Sequence, residues 1–189
     1  PVILILFGME IIARHTGSDM MYFGIIFLSI ILIIGTVFLA WSGYPAQERT
    51  EKNLVGAILS NRNLEDKDFN FAYLDNADFS NSIANGVDMN FDTMQNANFS
   101  NASLNGANMN FADLRYARLD HASMERADLN FANMKYADLS YAVLDEANLN
   151  FANLDGANMT GARLDGADHV FAGTSKSTIC PDSKRGPCW

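Results

Sequence analysis

Three histidines and two cysteines are all that 189 residues offer in the way of imidazole or thiol chemistry. His15, His121 and His169 stand far apart, and the chain contains no Ser-His-Asp arrangement, glycine-rich phosphate loop or His-x-x-x-His pair. Catalysis, a cofactor and a small-molecule substrate are therefore not expected. Bases are scarce too: 13 Lys and Arg stand against 22 Asp and Glu, for a formal net charge of −9. Such a balance solvates a surface and repels nucleic acid. Two acid pairs, Asp155/Asp165 and Asp165/Asp168, raise the question of calcium. The glycine-rich nonapeptide spacing of calcium-binding β-helices is missing, so no metal is expected.

Charge is absent altogether from Met20 to Trp41. That stretch spans about 33 Å as a helix, enough to cross a bilayer. Tyr22, Trp41 and Tyr44 lie where interfacial aromatics belong. A transmembrane α-helix is predicted over 20–42, after a short apolar segment and loop at 1–19 and before a linker at 43–52. Pro1–Ile12 is apolar apart from Glu10. It reaches only about 18 Å and cannot span alone. It reads as an interfacial helix, half of a hairpin packed on a partner, or the remains of something longer. No small-residue cleavage site follows the long apolar run, so a cleaved signal peptide is not expected.

What is present in abundance is a period. Every fifth residue from Leu54 to Leu164 is Leu, Met or Phe, except Ala84, and the residue two places earlier is Ala throughout from Ala97 to Ala172. On an α-helix a step of five rotates the side chain about 140° from the last, and on a straight strand it changes face. Neither element can bury such a series on one side, so the chain must turn a corner at every unit. A second period of twenty is superposed: Asn-Phe recurs at 70–71, 90–91, 110–111, 130–131 and 150–151, with Phe171 continuing the series. Four corners per coil follow, with equivalent residues stacked about 4.8 Å apart over about six coils.

Units such as Ala127-Asp128-Leu129-Asn130-Phe131 and Ala147-Asn148-Leu149-Asn150-Phe151 closely resemble the pentapeptide repeat family, with its pattern Ala-(Asp/Asn)-Leu-x-x. The resemblance covers 53–172. It implies an all-β solenoid, a right-handed quadrilateral β-helix, with Leu and Ala inward and the other three positions outward. Within that register Arg62 and Lys67 occupy small inward positions, which predicts an open or capped first coil. Ser82, Ile83, Ala84 and Asp92 depart from the pattern and predict a local bulge.

Residues twenty apart share a corner. One corner carries Phe71, Phe91, Phe111, Phe131, Phe151 and Phe171, expected to form an outward aromatic ridge with the preceding Asn series beside it as a hydrogen-bonded ladder. Tyr116, Tyr136 and Tyr141 add a second local cluster. These nine residues are the candidate partner-binding set. A bland alternative is that the rings merely stack on one another.

The tail, 173–189, is expected to cap the last coil. Cys180 and Cys188 flank a Pro- and Gly-containing turn. A disulfide between them would staple the tail and hide unpaired strand edges. Two free thiols, or half of a zinc site with His169 as the nearby further ligand, are the alternatives. A disulfide places the repeats in an oxidising compartment, a periplasm or a lumen. Against that, one base before the span, Arg14, and two after it, Arg49 and Lys52, lean towards a cytoplasmic repeat domain.

The resulting expectation is a single-pass, membrane-anchored docking subunit, bound to the bilayer through 20–42 and to other membrane protein subunits through the rod. The family's abundance in cyanobacteria and plastid lumens points by analogy to a photosynthetic or respiratory complex. The alternative, implied by the family's quinolone-resistance members, is an acidic mimic of DNA. Asn53–Ala172 carries 17 acids against 7 bases, the right sign for mimicry. A membrane anchor would nevertheless hold the rod away from DNA.

Overall fold

The computed structural model describes residues 52–189. The segment expected at 1–19, the span expected at 20–42 and the linker expected at 43–52, apart from Lys52, lie outside the described residues. Among the described residues no helix is long and apolar enough to cross a membrane.

The described chain is a four-sided β-helix. Single-residue parallel bridges join each position to the one twenty later. They run in four columns that begin at Asn53↔Tyr73, Ile58↔Asp78, Asn63↔Ile83 and Asp68↔Asp88. We number the faces 1 to 4 in that order. Between successive faces the chain makes a four-residue turn, closed for example by Ala117 N–H to Leu114 O at 3.0 Å. The third residue of every turn from Gly56 to Phe171 has φ between +53° and +71°. Gly and Asn tolerate this left-handed conformation; for other residues it costs about 1 kcal/mol or more.

One repeat shows how the backbone is satisfied. Leu114 N–H donates to Asn133 O at 2.8 Å and Tyr116 N–H to Lys135 O at 3.1 Å, in the coil above. Arg118 N–H donates to Ala97 O at 2.9 Å in the coil below. With the turn bond of Ala117, one N–H remains, and Arg115 gives it to Asp113 Oδ1 at 3.3 Å. The same Asx bond recurs at Ser80 to Asp78, Ser140 to Asp138 and Thr160 to Asn158. At these units the acid or amide before the inward residue accepts the one backbone donor that neither turn nor bridge can use; at others, such as Gln95 to Asp75 and Glu125 to Asn105, a side chain one coil below accepts it.

Inward Leu, Met, Phe and Ala are fully buried from Leu74 to Met159. The expected bulge is not there: Asn63↔Ile83↔Ser103 and Tyr73↔Thr93↔Asp113 run without interruption. Ser82 and Asp92 instead point inward in the Ala columns and are buried. Their side chains fit the column, so the register holds and the polarity is buried with it. Ala84, the one small residue in the inward Leu/Met/Phe series, is buried in the same coil as the large Phe79. Phe79 stacks on Phe99 at 4.6 Å and meets Phe69 edge-on at 6.1 Å. In the first coil Arg62 and Lys67 are exposed, and Leu54, Leu59 and Phe69 are only partly buried.

At the other end the register shifts by one, Ile179 pairing with Asn158 and, antiparallel, with Arg185. Buried Thr178 replaces a strand's polar groups with its own hydroxyl. Its Oγ1 donates to Leu154 O at 3.0 Å and accepts from Gly156 N at 3.1 Å and Ser175 N at 2.9 Å. Trp189 stacks on His169 at 4.5 Å and donates Nε1–H to Ala172 O at 3.2 Å. Cys180 and Cys188 are disulfide-bonded with Cα atoms 5.4 Å apart, so neither is a free thiol or a metal ligand. Cys188→Ser is expected to lower stability by about 2–3 kcal/mol, the loop-closure value for so short a ring. A denaturant midpoint unchanged by the substitution would show that the tail is held without the bond.

Candidate functional site: an aromatic edge

The Phe corner lies between face 4 and face 1. Phe71, Phe91, Phe111, Phe131 and Phe151 are 44–51% exposed and Phe171 is 78% exposed. Their rings stack in one column at centroid spacings of 4.7–5.3 Å, the first five within 4° of parallel. Ring faces are thus covered by the next ring while ring edges meet solvent. All six have φ between +58° and +61°, a conformation rare for a bulky residue. Stacking returns about 0.5–1.5 kcal/mol per pair, no more than the backbone conformation costs.

The flanks of this edge are almost free of charge. On one side stand Asn70, Asn90, Asn110, Asn130 and Asn150; on the other, Tyr73, Thr93, Asp113, Asn133 and Asn153. Asp113 is the one ionised member. Burial raises its pKa, but hydrogen bonds from the Arg115 guanidinium, at 2.8 and 2.6 Å, and from the Arg115 backbone outweigh this and hold it below the ordinary value.

The Asn series forms a ladder only in part. Asn90 N and Nδ2 both donate to Asn70 Oδ1 at 2.9 Å, and Asn110 N donates to Asn90 Oδ1 at 3.1 Å. Asn130 N then turns to Asp128 Oδ1 and Asn150 N to Asn148 Oδ1. That leaves Asn110 Oδ1 and Asn130 Oδ1 buried without a partner. The ladder resumes with Val170 N to Asn150 Oδ1 at 2.7 Å. Two acceptors compete for each of these N–H groups, the Asn one coil below and the Asx two residues back.

The tyrosines do not join the Phe column. Tyr116 and Tyr136 stack at 5.3 Å on the corner between faces 1 and 2. Tyr141 stacks on His121 at 5.1 Å between faces 2 and 3, diagonally opposite the Phe corner. No single flat surface can touch both Tyr141 and the Phe edge. Nearby bases are paired, Arg118 with Asp120 at 3.5 Å and Lys135 with Asp155 at 3.7 Å, as is Arg126 with Glu146 at 2.7 Å on the corner between faces 3 and 4. Ser100 Oγ donates to Asp120 Oδ1 at 2.6 Å, and His121 Nδ1 lies 3.6 Å from Asp120 Oδ2. The serine is bound to the carboxylate and not to the imidazole, which gives no activated nucleophile.

Each tyrosine column ends beneath a glycine, a feature missed from sequence although Gly falls on the corner twenty residues after Tyr136 and Tyr141. A Cβ on Gly156 would lie 2.4 Å from the Tyr136 ring, and one on Gly161 2.7 Å from the Tyr141 ring. Gly161→Ala is therefore expected to cost about 2–3 kcal/mol through ring displacement and the left-handed backbone. Gly106→Ala, where nothing lies within 4 Å, should cost only the backbone part. Equal losses in thermal unfolding for the two would overturn the assignment.

A family model described as pentapeptide repeats (8 copies) matches the chain over three segments, residues 53–90, 94–130 and 132–168. Among solved structures, the pentapeptide repeat protein Rfr23 from the cyanobacterium Cyanothece 51142 is 26% identical. It covers 67% of this chain and 90% of its own, with a TM-score of 0.44. A pentapeptide repeat protein from the Arabidopsis thaliana thylakoid lumen is 29% identical, covering 62% of this chain and 67% of its own, with a TM-score of 0.28. HetL from Nostoc sp. strain PCC 7120, a pentapeptide repeat protein involved in heterocyst differentiation regulation, is 21% identical. It covers 79% of this chain and 97% of its own, with a TM-score of 0.21. Among curated proteins, none matches the chain.

Proposed function

We propose, from the premise that the chain belongs to the pentapeptide repeat family, that it is a non-catalytic docking subunit. Its rod is held at a membrane by the span at 20–42 and engaged by other membrane protein subunits through its outer faces. The observation that carries this reading is the aromatic edge. Six Phe occupy left-handed corners where Asn or Gly would relieve the backbone, as Asn76, Asn81 and Gly86 do elsewhere. The left-handed conformation is common to every corner, but only this one carries six half-exposed or exposed Phe in a row, and such an apolar column is accounted for by a surface that covers it. The edge presents on the order of 600 Å² of half-exposed aromatic area, the scale of a protein contact.

The Cys180–Cys188 bond supports a periplasmic or lumenal rod, and a photosynthetic or respiratory assembly is the setting we favour by family analogy. Mimicry of DNA finds less support, because many acids serve the rod itself. Asp78, Asp128 and Asp138 accept backbone N–H groups, and Asp113, Asp120 and Glu146 pair with arginine.

The test is gentle detergent extraction from native membranes, with sizing and mass spectrometry of the wild type and of a Phe111→Asn/Phe131→Asn variant. Asn is the residue other corners carry, so the β-helix should persist by circular dichroism with stability changed by about 1 kcal/mol or less. Stoichiometric co-migration with other subunits, lost in the variant, is expected. A wild type that runs alone, or a variant that co-migrates equally, would overturn the docking role.

A further inference from the structure

Asp92 has no part in the docking edge and stands where almost every other coil carries Ala. It is 1% exposed, directly above Ala72 and below Ala112 in the inward column. Its Oδ1 accepts Ala72 N–H at 2.8 Å, but that N–H already donates to Phe69 O at 2.9 Å and does not need the carboxylate. Its Oδ2 is buried with no hydrogen-bond partner, as is the hydroxyl of neighbouring Thr93. A half-satisfied carboxylate in an apolar column is costly when ionised.

The charges around it offer little relief. From below, Lys52, which precedes the first coil, attracts the carboxylate, and Asp68 in the first coil repels it. These two are paired with each other at 3.1 Å, and Lys52 also donates to Asp68 O. From the coil above, Asp113 is engaged by Arg115 and by Gln95 Nε2 at 3.0 Å. Burial is the largest influence and raises the Asp92 pKa to about 7. The Ala72 N–H, Lys52 and the Phe71 amide pull it down, and Asp68 adds to the rise.

The way for an ionised Asp92 to reach water at least cost is to part the first coil from the second. The first described coil is less firmly packed than those above it. Leu54, Leu59 and Phe69 are partly buried, and Arg62 and Lys67 stand at inward positions without filling them. The coil's hold on the second consists chiefly of bonds such as Leu54 N to Tyr73 O, Leu59 N to Asp78 O, Leu64 N to Ile83 O and Phe69 N to Asp88 O, at 2.6–2.8 Å.

We propose that Asp92 is a proton-operated latch between the first and second coils, closed when its buried carboxyl is protonated and released when it ionises. The closed state binds the proton more tightly than the open one. Closure is therefore strongest below the open-state pKa of about 4, weakens as pH rises towards about 7, and changes no further above that. Release removes Phe71 from the aromatic edge and leaves the other five rings in place.

Hydrogen exchange of the full-length protein in detergent, followed at the Leu54, Leu59, Leu64 and Phe69 amides, tests this, with Leu114 and Leu129 as internal references. After correction for intrinsic exchange, protection of the first coil should fall by up to tenfold per pH unit, about a thousandfold across the window. In Asp92→Asn and in Asp92→Ala the fall should be absent. Asp92→Ala restores the residue of neighbouring coils and carries the test should the Asn variant fail to fold. First-coil protection that ignores pH in the wild type, the same fall in a folded variant, or an equal fall at Leu114 and Leu129 would overturn the latch.

Discussion

Asp92→Ala raises the stability of the rod at neutral pH, by about 2–4 kcal/mol. The wild-type carboxyl has its pKa pushed from 3.8 to about 7 in the folded state. At about 1.4 kcal/mol per unit, about 4 kcal/mol of stability has been withdrawn by the time the pH reaches about 7. For this acid the folded-state pKa is the higher one, so the folded state binds more protons between about pH 4 and 7 and stability falls as pH rises through that window. The substitution removes that term, leaves Ala72 N–H bonded to Phe69 O, and opens a void no larger than the carboxyl. Urea midpoints of the two proteins should separate as pH rises and converge near pH 4. A variant less stable than wild type at neutral pH would mean that the carboxyl finds compensation inside the rod.

Phe99→Ala is expected to have the largest destabilising effect, about 3–5 kcal/mol. Phe99 is fully buried, stacks on Phe79 within 12° of parallel, and supports Leu119 above it in the same inward column. A backbone bridged at every coil can collapse onto the void only slightly. Phe99→Leu, matching Leu119 and Leu139 in that column, should cost less than about 2 kcal/mol. Because each coil touches only its neighbours, the Ala variant should also separate unfolding into two phases, one on each side of the defect. A single cooperative transition with equal losses for Ala and Leu would contradict this local picture.

The coil was legible because its two periods are arithmetic: Leu114 and Ala112 can both be inward only if the chain turns every five residues, and Phe111 can stack on Phe131 only if four turns close a coil. Local bonding was harder to read. Asp113, Asp128 and Asp138 look like solvating acids until the backbone is inspected, because the donor each accepts becomes unpaired only once the turn has formed. Asp92 misled for a related reason. Its departure from Ala suggested a bulge, but the coils on either side enforce the register and the mismatch is expressed as buried polarity. The Phe edge was placed correctly by period alone. The left-handed conformation shared by every corner was not foreseen, and it is the exposure of six rings on one corner that turns a stack into an argument for a covering surface.

Corner identity in this rod is a matter of phase. With bridges joining each residue to the one twenty later, inserting or deleting a whole coil changes the length by about 4.8 Å and leaves every column aligned. Inserting a single unit of five turns everything beyond it by a quarter revolution. Phe151 and Phe171 would then leave the edge defined by Phe71 to Phe131, although no residue had been substituted. The rod can thus change reach in whole coils and keep its docking edge, while any smaller change re-aims it.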